Sequence, residues 1–387
     1  MENFDVTIIG AGLAGLQCAR LLGRQGLRVL LVDRKPALDH KIHTTGIFVR
    51  RTLEDFDLPE DCLGPVVRHV SLYSPAHRVL HLESKHDEFR VGKMGRLYLR
   101  FLTQCLLSRV EWLPAATYQS SVEDKDGSLV RLGIGNDTQT IKTRLLIGGD
   151  GVCSKVATDL QLDANREWIV GVENVYGDIR LDGPPRLLCF LDPRVAPGYI
   201  AWIAYDGEET HVGVGGYAQH FEPVAALEQF EASVTKLVDL KSGTRLERRG
   251  GRIPVGGVLK RIVNKRGLLI GDAAGAVSPL TAGGLDPCMR LSTLAANVAT
   301  EYLSTNNPEV LNQYSGEAFR SKFASRIWAR RVAAQLKSPL VAELGCAALR
   351  LPLVNQLAAK VFFGRGSFPD VESDPASVNV NYVKGAA

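Results

Sequence analysis

The sequence predicts an α/β protein: an open, mostly parallel sheet, an antiparallel sheet inserted into it, and a helical C-terminal region. Three observations predict it. The chain opens on an apolar strand, a glycine-rich turn, a helix and a second apolar strand, which is a βαβ unit. Two further apolar strands, Arg144 to Ile147 and Gly267 to Ile270, run into Gly148-Gly149-Asp150-Gly151 and Gly271-Asp272. Between them, Trp168 to Tyr217 changes to longer strands punctuated by Gly and Pro. A chain of 387 residues exceeds one typical core, so two interleaved domains are expected. Residues 1–65, 94–160 and 255–305 are assigned to the parallel-sheet domain. Residues 66–93 and 161–254 are assigned to the antiparallel one, and residues 306–387 to the helical region.

Taken in order, Asp5 to Gly10 is a buried strand, and a helix follows from Leu13 to Gln25, stopped by Gly26. Leu27 to Asp33 is the second strand. Asp39 to Gly46 reads as a loop and Arg50 to Phe56 as a short helix. The alternating segments between Val66 and Phe89 predict antiparallel strands. A helix is expected from Arg96 to Leu107, then strands at Glu111–Leu113 and Leu129–Ile134 around an Asp124-Lys-Asp-Gly127 turn. Further helices are expected over Pro223–Leu240 and Pro287–Leu303. The remainder is mostly helical, broken at Pro339 and Pro352, with Ser373 to Ala387 frayed.

Composition narrows the function. A net charge of +4, spread along the chain, is too small to argue for nucleic acid. The seven cysteines include no CxxC pair and no histidine cluster at metal-ligand spacing, so free thiols in a reducing cytoplasm are expected and a metal is not. No signal peptide and no apolar run of membrane-spanning length occurs. Peripheral membrane contact stays open. Residues Pro339 to Phe363 are apolar and flanked by Arg326, Arg330, Arg331, Lys337, Arg350, Lys360 and Arg365, which suits either a membrane surface or packing on the domain beneath.

Gly10-Ala-Gly12-Leu-Ala14-Gly15 fits GxGxxG between strand and helix. Gly10 makes the tight turn, Gly12 lets a pyrophosphate approach the backbone, and Gly15 lets helix and strand pack closely. The phosphates then sit at a helix N-terminus, where free N–H groups and the dipole favour anions. Asp33 ends the second strand at the distance expected for ribose hydroxyls, which makes the unit Rossmann-like. Arg34 either lies over the adenine or is solvated. The stretch Gly267 to Gly284 adds a second element, a buried strand, Gly271-Asp272, and a glycine-rich turn into a helix. Its carboxylate suits a sugar-alcohol chain, and its backbone N–H groups suit the pyrimidine edge of a flavin. Asp286-Pro287 is a good helix start in its own right.

With these segments in this order, the sequence resembles flavoproteins of the geranylgeranyl reductase and aromatic-hydroxylase superfamily. Gly10, Gly12 and Gly15 match the first fingerprint, Asp150-Gly151-Val-Cys-Ser154 is similar to the DG motif, and Gly271-Asp272-Ala-Ala-Gly275 to the GD motif. Ser278 to Leu285, Tyr199-Ile-Ala-Trp202 and Val212-Gly213-Val-Gly215-Gly216 are closer to the reductase branch. The resemblance implies a glutathione-reductase-type FAD domain. In it Gly10, Gly12, Ala14, Gly15, Asp33 and Arg34 hold the ADP half, and Thr45, Arg96, Asp150, Gly271 and Asp272 lie along the cofactor. Pro279, Gly283, Gly284 and Leu285 line the isoalloxazine. Where the reductases often carry a cysteine, this chain has His43-Thr44-Thr45-Gly46, and His43 is either a proton donor or a solvated loop histidine. The hydroxylases' arginine after the DG serine is missing near Ala157, aromatic residues after the glycine turn are replaced by Asp286-Pro287, and the halogenase WxWxIP sequence does not occur.

The expectation is therefore an FAD-dependent oxidoreductase. It reduces or dehydrogenates an apolar substrate, isoprenoid or lipid-like, through hydride transfer at flavin N5. The alternatives are a monooxygenase using NAD(P)H and O2, and a non-catalytic FAD-binding redox partner. No second GxGxxG exists, so NAD(P)H binds transiently or another donor serves; the donor is left open.

Overall fold

The computed structural model describes residues 1–335 and 337–364. The expected basic flank at Arg365 and the expected frayed end Ser373–Ala387 lie outside them. The first sheet has eight strands. Its parallel core places β1 (Asn3–Ile9) between β2 (Val29–Val32) and the strand Asp137–Gly148, with Val6 opposite both Val29 and Leu145. The strand Gly267–Leu269 adds on the far side of Asp137–Gly148, and Glu111–Leu113 beyond β2. The parallel segments are apolar because they are buried within the core. Because they are parallel, their C-terminal ends share one edge. Gly10, Asp33, Asp150 and Gly271 therefore arrive together, at the place where open α/β sheets bind ligands.

Helix α1 (Leu13–Arg24) packs against the long helix Leu285–Thr305, and Gln17 Nε2 donates to Thr293 Oγ1 at 2.9 Å. The long helix starts two residues before the expected Pro287.

The second sheet has seven strands, in the order Thr244–Pro254, Trp168–Gly177, Thr210–Gly216, Ala201–Tyr205, Arg186–Phe190, His69–Tyr73, Val79–Glu83. Alternation sends Val172, Val212, Val214 and Phe190 to one face, where Leu227 and Phe230 of the helix Pro223–Ser233 complete a core. The opposite face carries Gly171, Glu173, His211, Gly213, Gly215 and Arg249 and turns toward the first sheet.

Three elements differ from expectation. The helix expected to reach Leu240 ends at Ser233, whose hydroxyl donates back to Phe230 O at 2.7 Å and competes with the helical ladder. The edge strand Thr244–Pro254 was hidden by its composition, four arginines and two glycines with little apolar alternation. The strand Ala116–Asp124 is partly polar and is recognised only by its pairing with Gly127–Ile134. At the C-terminal end lie the helices Gly316–Lys322, Ala324–Ala333, Pro339–Ala348 and Pro352–Phe363; the last two begin on their prolines.

Candidate cofactor and substrate site

At the N-terminal loop Gly10 and Gly15 are sterically required. A Cβ at Gly10, which sits at φ +102°, would overlap Gly149 O, and one at Gly15 would overlap Gly10 O. A Cβ at Gly12 would meet nothing within 4 Å, so open space lies over the start of α1, where a phosphate would sit. Asp33 is partly buried. Its Oδ2 accepts from Ala11 N at 2.7 Å and its Oδ1 from Lys35 N at 2.8 Å, which ties the strand end to the loop. Arg34 is exposed. Ala14 packs on the other end of the chain: a Cβ at Gly271 would stand 2.8 Å from Ala14 Cβ.

Gly271, at φ +55°, opens the turn that carries Asp272. Burial raises the Asp272 carboxyl to about 6. Among the described residues, no hydrogen bond is donated to its side chain. It faces Gly284, where a Cβ would lie 3.8 Å from Asp272 Oδ1. A partly buried carboxylate without a protein donor, beside an open glycine turn, is one that a polyhydroxyl chain would satisfy. Asn165 Nδ2 donates to Asp272 O at 2.8 Å and to Val152 O at 3.3 Å, linking this turn to the Asp150 loop.

Asp150 itself is engaged locally. It accepts from Ser154 Oγ at 2.6 Å, Lys155 N at 2.8 Å and Val156 N at 3.2 Å, so its carboxylate shapes its own loop. Arg96 is exposed and paired in two bonds to Glu208, at 2.9 and 3.0 Å, which joins the two domains at the surface. Two positions on, Tyr98 of the same helix is partly buried. Its phenol is raised by burial first, then by Cys288 and Asp272, with Asp33 adding in the same direction and Arg249 opposing. One side chain thus feels carboxylates from both ends of the chain. Sequence reasoning missed it because an aromatic residue two positions after an arginine on a helix carries no distinguishing pattern.

The turn before the long helix is closed by Ser278 N donating to Gly283 O at 3.0 Å, with Ala282 held at φ +52°. Pro279 packs near Gly257, and Gly283, Gly284 and Leu285 form the approach to the helix N-terminus. Asp286 accepts from Thr52 Oγ1 and Arg290 Nε, both at 2.9 Å, and serves the fold.

Across from this turn, the second sheet carries two aromatic rings seated on glycines. A Cβ at Gly213 would overlap the Trp202 ring, and one at Gly215 would stand 2.6 Å from Tyr199. The Tyr199 hydroxyl donates to Thr281 O at 2.7 Å, so the aromatic wall is fastened to the Pro279–Gly284 turn. Arg330 lies over the rings of Tyr199 and Tyr217, 5.2 and 5.1 Å from their centroids.

His43 lies at the seam, with Nδ1 3.0 Å from Gly250 O. Burial and the neighbouring Lys35 push its pKa down, so the ring is neutral near pH 7. A neutral ring donating from Nδ1 leaves Nε2 an acceptor, which suits orientation better than proton donation. Thr45 Oγ1 donates to Glu173 Oε2 at 2.6 Å.

A family model described as FAD dependent oxidoreductase matches residues 5–130. The chain is similar to the digeranylgeranylglycerophospholipid reductase of Methanocaldococcus jannaschii, 26% identical over 322 residues and 81% of each chain. It is also similar to digeranylgeranylglycerophospholipid reductase 1 of Methanopyrus kandleri, 28% identical over 359 residues, covering 86% of this chain and 91% of the relative. In fold it is similar to a geranylgeranyl bacteriochlorophyll reductase-like protein from Thermoplasma acidophilum, with a TM-score of 0.83, 18% identity, and 96% and 98% coverage. The p-nitrophenol 4-monooxygenase of Pseudomonas putida follows with a TM-score of 0.72, 16% identity, and 96% and 100% coverage.

Proposed function

We propose that this chain, an FAD-dependent oxidoreductase of the geranylgeranyl reductase and aromatic-hydroxylase superfamily, reduces carbon–carbon double bonds of an apolar isoprenoid or lipid-like substrate. The bound flavin supplies the hydride, at N5. Gly10, Gly12, Gly15 and Asp33 receive the ADP half, with Arg34 beside it. Asp272 receives the hydroxyls of the middle, near Tyr98. Gly283, Gly284 and Leu285 offer backbone N–H groups to the pyrimidine edge, with Pro279 and Thr45 on either side. Residues 1–65, 94–160 and 255–305 then form a glutathione-reductase-type FAD domain, and 66–93 with 161–254 the substrate domain.

The observation that carries the reading is the aromatic wall of Trp202 and Tyr199, seated on Gly213 and Gly215 and fastened to the flavin-side turn through Thr281. Such a wall offers flat aromatic surface, which suits contact with a polyprenyl chain. NAD(P)H, binding transiently, is the proposed donor. The exposed Trp328, Leu340, Leu344 and Leu351 of the C-terminal helices give a lipid surface somewhere to rest. Among the described residues, no helix is long and apolar enough to cross a membrane.

The test is anaerobic. NADPH should bleach the purified yellow protein, and a geranylgeranylated lipid should restore the colour while losing double bonds by mass spectrometry. Restoration by air alone, with a hydroxylated product, would establish the monooxygenase reading instead. A flavin that no donor reduces and no acceptor reoxidises would leave an FAD-binding redox partner.

A further inference from the structure

The reading above leaves one buried polar cluster unused. On the flavin-facing side of the second sheet, His211 is 2% exposed and lies between two carboxylates. Its Nδ1 is 3.6 Å from Glu173 Oε1 and its Nε2 3.6 Å from Asp206 Oδ2. A neutral imidazole has one N–H, so one nitrogen would turn a lone pair toward a buried carboxylate; only the imidazolium suits both neighbours. Glu173 and Asp206, both 4% exposed, are held ionised in return, below the ordinary carboxylate range. The other charges facing the cluster are Arg249, with Nη1 3.8 Å from Glu173 Oε1 and Nη2 3.9 Å from Glu209 Oε2, and Glu247, 2.8 Å from Arg249 Nε. Trp202 Nε1 donates to Glu173 Oε2 at 3.4 Å, and Asp206 Oδ1 accepts from Glu208 N at 2.8 Å and Glu209 N at 2.6 Å.

The direction of the Thr45 hydroxyl follows. An ionised Glu173 can only accept, so Thr45 spends its single proton on Oε2, at 2.6 Å. Its lone pairs are left for whatever stands at the domain seam.

We propose that Asp206, His211 and Glu173 are positioning residues that store one proton in the substrate-domain sheet and lock the Thr45 hydroxyl inward, so that Thr45 presents an acceptor to an N–H or O–H donor of the bound flavin. The identity of that donor's owner rests on the function proposed above; the stored proton does not.

Two measurements on the full-length flavin-bound protein separate these parts. With nitrogen-15-labelled histidine, NMR should show His211 carrying both ring protons through pH 8, with a midpoint near 9. E173Q and D206N should each lower that midpoint by at least one pH unit. A neutral His211 at pH 7 in the unaltered protein would overturn the proposal. So would stoichiometric metal in the purified protein, since a cation among Asp206, Glu209 and His211 would take an imidazole lone pair. In the second measurement, T45V and E173Q should weaken flavin binding about tenfold and shift its midpoint potential, whereas T45S restores both. If T45V and E173Q match the unaltered protein in affinity and potential, Thr45 does not face the flavin, even where the His211 titration holds. Retention of flavin with a silent T45V therefore refutes this step alone, while absence of flavin refutes the function reading.

Discussion

Asp272 and Glu173 are both carboxylates withdrawn from water, one in each domain, and their environments differ. Asp272 has no donor among the described residues and its carboxyl is raised to about 6. Glu173 has His211, Thr45, Trp202 and Arg249 around it and is lowered despite deeper burial. Burial penalises the charged form in both, and partners reverse the penalty in only one. A buried acid surrounded by partners is finished by the fold; one without them is completed by a ligand. Under the function proposed above, the contrast separates the part of the seam that positions from the part that binds.

The contrast can be broken from either side. His211→Gln should have the largest effect, because it strands Glu173 and Asp206 as buried charges; a loss of about 3–5 kcal/mol in denaturant unfolding is expected. The same group gives a pH signature. Its folded pKa, about 9, lies above the ordinary 6.5, so its contribution is complete below pH 6.5 and fades as pH rises through 9. Unfolding midpoints that stay level from pH 6.5 to 9 would contradict it.

Asp272→Ala should leave the fold intact and loosen flavin about 100-fold, roughly 2.7 kcal/mol, read from the colour remaining after gel filtration. Full retention of yellow would count against the cofactor assignment. Asp272→Asn should act in opposite directions on fold and ligand. In protein stripped of cofactor it removes a penalised charge and should stabilise by about 2 kcal/mol at pH 7, while flavin still binds more weakly. If the stripped variant unfolds more easily than the parent, Asp272 is a structural residue with partners in solution.

Local patterns carried the nucleotide half. Gly10, Gly12, Gly15 and Asp33 lie within 24 residues, and their spacing states the turn, the helix start and the strand end that chemistry needs. The GD turn at Gly271-Asp272 was legible for the same reason, as a buried strand ending in glycine. The glycines of the strand Thr210–Gly216 make room for Trp202 and Tyr199, a packing that only the structure shows. The charged strand Thr244–Pro254 was not legible, because it owes its place to pairing with Trp168–Gly177 and not to its own alternation.

The amino-acid order alone determined the βαβ opening, the FAD signature and the alternation of parallel and antiparallel segments, since glycine conformation and apolar periodicity act over a few residues. Only the tertiary structure decided which polar groups are spent and which are left over. It turned Asp150 onto its own loop and Arg96 onto Glu208, and buried His211 between two acids. The pairings of Arg96 with Glu208 and of His211 with Glu173 join residues far apart in the chain, and no local pattern encodes them.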